Sequence, residues 1–354
     1  MKRCTKLSKK KISLLSLLLF ITLNSSCYLA KQGAYLLRYQ WRAESIDRML
    51  QDDEITDELR EFLELVLQIR SFAMDTIGLK KNNNYLKYVE VERGYMVDVV
   101  MAARDDSFEM HNWWFPFFGN FPYKGFFVRT DAERQAAKLQ RRGYDVHIGQ
   151  ARAFSTLGFF SDPVYSFFKE YSVFDLANLI IHEQMHATIY LKNQVQFNEE
   201  IATFLGNEGG LKFVKQMFGK DSDQYKSAVL ALEDYDVYID RIHSLYNELS
   251  TLYQSDLSRE EKLDGKERVI EVFKENLAQN YDSLFETDNY RGLYRATINN
   301  AFIAARMTYT LDLSLMYELY EQNDHDLALT VEQLKKLRRY RGDPKEFIRR
   351  ELLN

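Results

Sequence analysis

Over most of the chain the apolar positions recur three and four residues apart, while one stretch of the N-terminal half is dense in aromatic and β-branched residues. Residues 57–77 place Leu59, Phe62, Leu63, Val66 and Ile69 on one helical face. Residues 28–50 repeat the spacing more loosely through Leu36, Leu37, Tyr39 and Trp41. From Tyr85 to Arg104 the character changes. Tyr85, Tyr88, Val89, Val91, Tyr95, Val97, Val99 and Val100, punctuated by Gly94, predict paired strands. The aromatic run continues from Trp113 to Arg129. A helix is expected over 131–142, with Thr130 and Glu133 as a capping box and Gly143 as its stop. Strands are expected over 144–150 and 151–159.

The second half reads as helix almost throughout. One helix starts at Ser172, with Asp175 as its capping partner. A second runs through 197–205 with Glu199 and Glu200 in its first turn, joined to the first by a turn at 191–196. A charged hairpin follows at 222–254 and 258–279, its second arm opened by the capping sequence Ser258 to Glu261. Helices over 290–320, 331–339 and 344–352 close the chain. With 4 prolines and 15 glycines, long helices face few breakers. The expected fold class is α+β, mostly helical, with a small β-sheet in the N-terminal half and a long helical C-terminal half. No internal repeat or low-complexity linker divides the chain. Residues 27–354 therefore read as a single domain, with a helical and β-rich part over 27–170 and a helical part over 171–354.

The first 26 residues have the layout of a secretory signal. Lys2, Arg3, Lys6, Lys9, Lys10 and Lys11 precede an apolar run from Ile12 to Leu23, and Asn24, Ser25 and Ser26 lead to Cys27. The run is short for a membrane span, which needs about 20 residues. It is similar to a lipobox, with Asn24 in place of the usual aliphatic residue. Lipidation at Cys27 is expected, anchoring the chain to a membrane of the cell envelope. The chain has 2 cysteines; Cys4 leaves with the signal, so no internal disulfide remains. The net charge of −5 gives no support for nucleic-acid binding. Oligomeric state is not legible.

The chemistry concentrates at His182-Glu183-Gln184-Met185-His186, inside the apolar run Phe174 to Ile181. Two histidines four apart share a helix face and can hold one ion, with Glu183 beside them to act on water. Leu179, Ile180, Ile181, Met185 and Ile189 bury the helix, and buried ionisable groups need partners. Zn²⁺ is the expected cofactor, bound by His182 and His186. A catalytic site takes a third protein ligand and leaves a position for water. Glu199 is favoured as that ligand, with Glu200 as the alternative. Tyr309 is a candidate donor to the oxyanion, or a core tyrosine. Asn299 and Asn300 are candidates to orient a ligand, or amides satisfying buried backbone.

Five stretches in order resemble the predicted aminopeptidases of bacterial envelopes, a gluzincin-like metallopeptidase family that includes many lipoproteins. They are Cys27-Tyr28-Leu29 with Gln32-Gly33; Phe115 to Phe127; Ala153 to Pro163; the HExxH helix with Phe197-Asn198-Glu199 and Ala202-Thr203-Phe204; and Asn299-Asn300-Ala301 with Tyr309. The resemblance implies a zincin-like metallopeptidase domain, a peptide substrate and an aminopeptidase activity. In related folds a strand at the place of Ser155, Thr156 and Leu157 pairs with extended substrate, so these three are expected to bind it. There are departures. Trp114 and Asn120 stand where family members often carry cysteines, Gln184 and Met185 replace smaller apolar residues, and Gly206 and Asn207 replace acids. Two other readings remain: an envelope binding or structural lipoprotein with a non-catalytic metal site, and a zinc hydrolase of non-peptide amides.

Overall fold

The protein is described by a computed structural model covering residues 28–115, 119–151, 161–308 and 311–353. Helix α1 occupies residues 28–42. Where one helix to residue 50 was expected, the chain turns at Ala43 into strand β1 (Glu44–Ser45) and a short helix α2 (Ile46–Met49). After the turn Ile46 is fully buried in the main core. Helix α3 (Asp57–Ser71) follows, capped by the Thr56 side chain accepting from Leu59 N–H, and runs on through a π-turn at Phe72–Thr76.

The strands expected to pair with each other do not. Strand β2 (Lys87–Val89) lies between β1 and a parallel β8 (Val164–Tyr165). The link after β2 is held there by Ser166, whose Oγ accepts from Val91 N–H at 2.9 Å and donates to Val91 C=O at 3.1 Å. Strand β3 (Val97–Arg104) is instead the centre of a second, antiparallel sheet, flanked by β6 (Tyr123–Phe126) and β7 (Tyr144–Ala151). Between β3 and β6 lies a hairpin of β4 (Trp113–Phe115) and β5 (Gly119–Phe121). Its register sets Trp114 directly opposite Asn120, so the two positions that depart from the family's cysteines are cross-strand neighbours. Helix α4 (Arg129–Gln140) begins before Thr130, so the expected capping box does not form. Gly143, at φ +77°, ends the segment as expected.

Helix α4 covers one face of the β6-β3-β7 sheet through Ala132, Ala136 and Leu139 against Val100, Ala102 and Phe126. On the other face Val97 and Val99 pack into the main core. The free edge of β6 is covered by α1: Tyr28 donates to Gly125 C=O, and Gln32 Oε1 accepts from Phe127 N–H at 3.0 Å. Tyr35 stacks on Phe127 with ring centres 5.5 Å apart.

The helical half follows the sequence closely, with one break. Helices α5 (Val173–Thr188) and α6 (Val195–Phe218) are joined by a short turn. Helices α7 (Asp223–Gln254) and α8 (Arg259–Leu284) form the expected hairpin, and the Ser258–Glu261 capping box is complete. The helix expected over 290–320 is divided into α9 (Asn300–Thr308) and α10 (Ser314–Gln322). Asn299 sets the start of α9 by accepting from Phe302 N–H at 3.0 Å. Asp312 caps Ser314 at the start of α10. Helices α11 (Leu327–Leu334) and α12 (Pro344–Phe347) end the chain, the latter capped by Asp343. Among the described residues no helix is long and apolar enough to cross a membrane.

Candidate metal centre

The site grows from the phase of α5. Ser172 Oγ accepts from Asp175 N–H at 3.0 Å and fixes where the helix starts. Ala177, Ile180, Ile181, Gln184, Met185 and Thr188 then turn into the core, leaving His182, Glu183 and His186 on the half-buried arc. Helix α6 comes back antiparallel after residues 189–194. Asn198 ties this turn shut, accepting from Leu191 N–H and donating to Leu191 C=O, both at 2.9 Å. The helix starts at Val195, so Glu199 and Glu200 lie in its second turn and not in the first.

Three glycines bring α5 and α6 close together. A Cβ at Gly206 would lie 2.8 Å from Asn178 Oδ1, one at Gly209 would lie 3.0 Å from Ile181 Cδ1, and one at Gly210 would lie 3.0 Å from the Phe174 ring. The departures noted in the sequence thus have a physical use. Gly206 permits the approach, and Asn207 accepts from Asn178 Nδ2 at 2.8 Å across it.

The two adjacent glutamates diverge. Glu199 turns to α5, its Oε2 3.4 Å from His182 Nε2 and its Oε1 3.4 Å from His186 Nε2. The two imidazole nitrogens are 3.1 Å apart. Glu200 is fully buried and pairs instead with Lys345 of α12 at 2.8 Å. The choice between them falls to Glu199. Among the described residues no other trio of His, Cys, Asp or Glu side chains brings its donor atoms together in this way.

These spacings suit a small cation. Tetrahedral zinc with bonds of about 2.0–2.1 Å sets neighbouring donor atoms about 3.3 Å apart. The electrostatics agree. Burial alone would raise the Glu199 carboxyl, but its hydrogen bonds to His182 and His186 outweigh that and hold it down to about 2. Burial alone would lower the His186 imidazole, but Glu199, with Glu183 behind it, raises it. Carboxylate and ring both call for positive charge between them. One further atom is conspicuous: Glu183 Oε2 is buried with no hydrogen-bond partner among the described residues. A set of two nitrogens and one carboxylate oxygen, with an acceptor left over beside it, fits zinc and a water.

The loop at residues 78–85 runs along α5. Lys80 N–H donates to Thr188 Oγ1 at 2.9 Å, and Asn82 Nδ2 donates to Gln184 Oε1 at 2.5 Å. This gives Gln184 its place, since the side chain receives the loop. The loop ends on Tyr85, which is buried and sits at φ +59°, a conformation rare for a bulky side chain. Burial, and then the Glu183 carboxylate, push its phenol well above the usual range. A second tyrosine, Tyr123 at the start of β6, is raised by burial and by the carboxylate of Glu199. The sequence reads the first as a strand residue and the second as part of the aromatic run from Trp113 to Arg129. Each stands among other aromatics, so no local signal separates them from core.

The remaining candidates divide. Asn300 is buried and wholly engaged by the fold: its side chain donates to Arg104 C=O at 2.9 Å and Ser107 C=O at 3.1 Å, and accepts from Tyr253 at 2.8 Å. It is a structural amide, and the expectation that it binds substrate is corrected. Asn299 likewise donates to Val146 C=O at 3.0 Å. Ser155, Thr156, Leu157, Tyr309 and Cys27 lie outside the described residues.

The sequence pattern of a family described as "Putative aminopeptidase" matches residues 27–347. No curated protein and no solved structure matches the chain. The chain belongs to that aminopeptidase family.

Proposed function

With that membership as premise, we propose that the protein is a zinc-dependent peptidase, an aminopeptidase of the cell envelope built on a zincin-like form of its α+β fold. The observation that carries the reading is the trio of His182, His186 and Glu199, with donor atoms 3.1–3.4 Å apart beside the unpaired Glu183. Zinc held by these three would supply Lewis acidity toward a peptide carbonyl and lower the pKa of water to about 7. Glu183 is the general base. Its free, buried Oε2 takes the proton of the attacking water, and the same carboxyl then hands it to the leaving amine. Ser155, Thr156 and Leu157 are assigned to the backbone of an extended peptide, and Cys27 to the lipid that holds the chain at a membrane.

The test is metal content together with a cleavage profile. The purified protein is expected to carry about one zinc per chain. It should cleave peptides with free amino termini and spare the same peptides when acetylated. Cleavage of both would make it an endopeptidase. Bound zinc with no cleavage would favour an envelope binding protein, and absence of zinc would remove the proposal altogether.

A further inference from the structure

We infer that the outer face of α1 docks on an anionic lipid bilayer, so that the body of the protein rests against the membrane. The inference rests on the reading of the chain as an envelope protein held at Cys27 and adds a second contact with the same membrane. It starts from the phase of the helix. Tyr28, Gln32, Tyr35 and Tyr39 turn inward to β6 and the chain that follows it. Ala30, Ala34, Leu37 and Trp41 are all exposed and recur at helical spacing, so they form one outward stripe. Leu37 is 42% exposed and Trp41 84%, the highest value of any large apolar side chain among the described residues. Exposed apolar residues scattered singly are ordinary, but these two lie one turn apart on one line.

The charges beside the stripe indicate what covers it. Lys31, Arg38 and Arg42 each follow a stripe residue by one position, a rotation of about 100°, and line one of its flanks. Lys31 is spent on Asp131. Arg38 and Arg42 have no hydrogen bond or ion pair among the described residues. Residues 28–43 contain no Asp or Glu, and the first acid, Glu44, comes after the turn that ends α1. A second copy of this face would bring like charges together with no acid to offset them. A bilayer with anionic headgroups suits both parts. Leu37 and Trp41 enter the boundary between headgroups and acyl chains, while the long arginine side chains keep their guanidinium groups at the phosphates. The position in the chain agrees. Helix α1 begins at the residue after Cys27, so a lipid there sets the start of the helix at the membrane surface. A lipid alone would tether the body. Because the inward face of α1 is already bound to the sheet, docking its outer face fixes the pose of the whole fold.

The test uses the purified full chain mixed with vesicles of phosphatidylglycerol and phosphatidylcholine whose acyl chains carry bromine, a quencher confined to the bilayer. The difference in emission between the wild type and Trp41→Phe isolates Trp41 from Trp113 and Trp114. Brominated vesicles should quench that share strongly, and unbrominated ones should not. Arg38→Gln combined with Arg42→Gln should relieve most of the quenching, since each arginine changes the docked-to-lifted ratio about fivefold. Vesicles of phosphatidylcholine alone should relieve it likewise, and the variants should keep the wild-type thermal midpoint. Quenching that ignores lipid charge, or a Trp41 share that bromine does not reach, overturns the inference. So does a dimer in sedimentation that already shields Trp41 without lipid, which would assign the face to a second copy. Mass spectrometry of the same preparation tests the anchor separately. A lipid on Cys27 with Trp41 unquenched sinks the docking alone, and an unmodified Cys27 with Trp41 quenched leaves the docking standing without the anchor.

Discussion

At the scale of single residues, neighbours in sequence do opposite work. Successive helical positions are turned by about 100°. That rotation sends Glu199 to two imidazoles and Glu200 to Lys345. It likewise exposes Glu183 to the site while Gln184 receives Asn82 from behind. The role given to Glu183 predicts that Glu183→Gln keeps its zinc and loses kcat by about 10²–10⁴. Metal analysis and steady-state kinetics on one preparation check this, and wild-type turnover with zinc in place would contradict it.

At the scale of elements, the site depends on how closely two helices approach. Glycine inside a helix is destabilising in itself, by about 0.5–1 kcal/mol relative to Ala. Here Gly206 and Gly210 stand where a Cβ would strike Asn178 or Phe174. Gly206→Ala would set its Cβ 2.8 Å from Asn178 Oδ1 and 3.1 Å from Asn178 C=O, so α5 and α6 must part. The expected result is a loss of about 1–3 kcal/mol in urea unfolding together with weaker zinc binding by titration. Stability gained, as helix propensity alone would give, with zinc affinity unchanged would show that the approach is not needed.

At the scale of the whole molecule, distant segments hold the site without entering it. Helix α12, near the C-terminus, sends Lys345 to the fully buried Glu200, next to the third ligand candidate. Removing one partner of such a pair strands a buried charge. Lys345→Ala should therefore destabilise by about 3 kcal/mol, the low end for buried pairs because the Lys345 side chain is 28% exposed. Adding Glu200→Gln should recover part of the loss, measured by denaturant unfolding of both variants. A metal held at the trio would contribute differently. The three candidate ligands belong to only two helices, while the core extends over α3, α5, α6, α10 and α11 and the π-turn at Ile348–Leu352. Chelation is expected to abolish peptidase activity and leave far-ultraviolet circular dichroism almost unchanged. Unfolding on chelation would assign the metal a structural role.

By itself the sequence determined what is written in local periodicity and in residue type. The helical half, the Ser172 start of α5 and the Ser258 capping box follow from spacing and side-chain hydrogen bonding within a few residues. So does the presence of a donor pair at His182 and His186, because a helix fixes the geometry of residues four apart. Tertiary structure alone decided which partners distant segments take. It set β2 beside β8 and β3 beside β6 and β7, broke the helix expected over 290–320, and made Asn300 a brace for the loop after β3. It separated Glu199 from Glu200, and it laid the loop before β2 along α5. Those pairings depend on volume, burial and charge across long stretches of chain, and no short window of sequence carries that information.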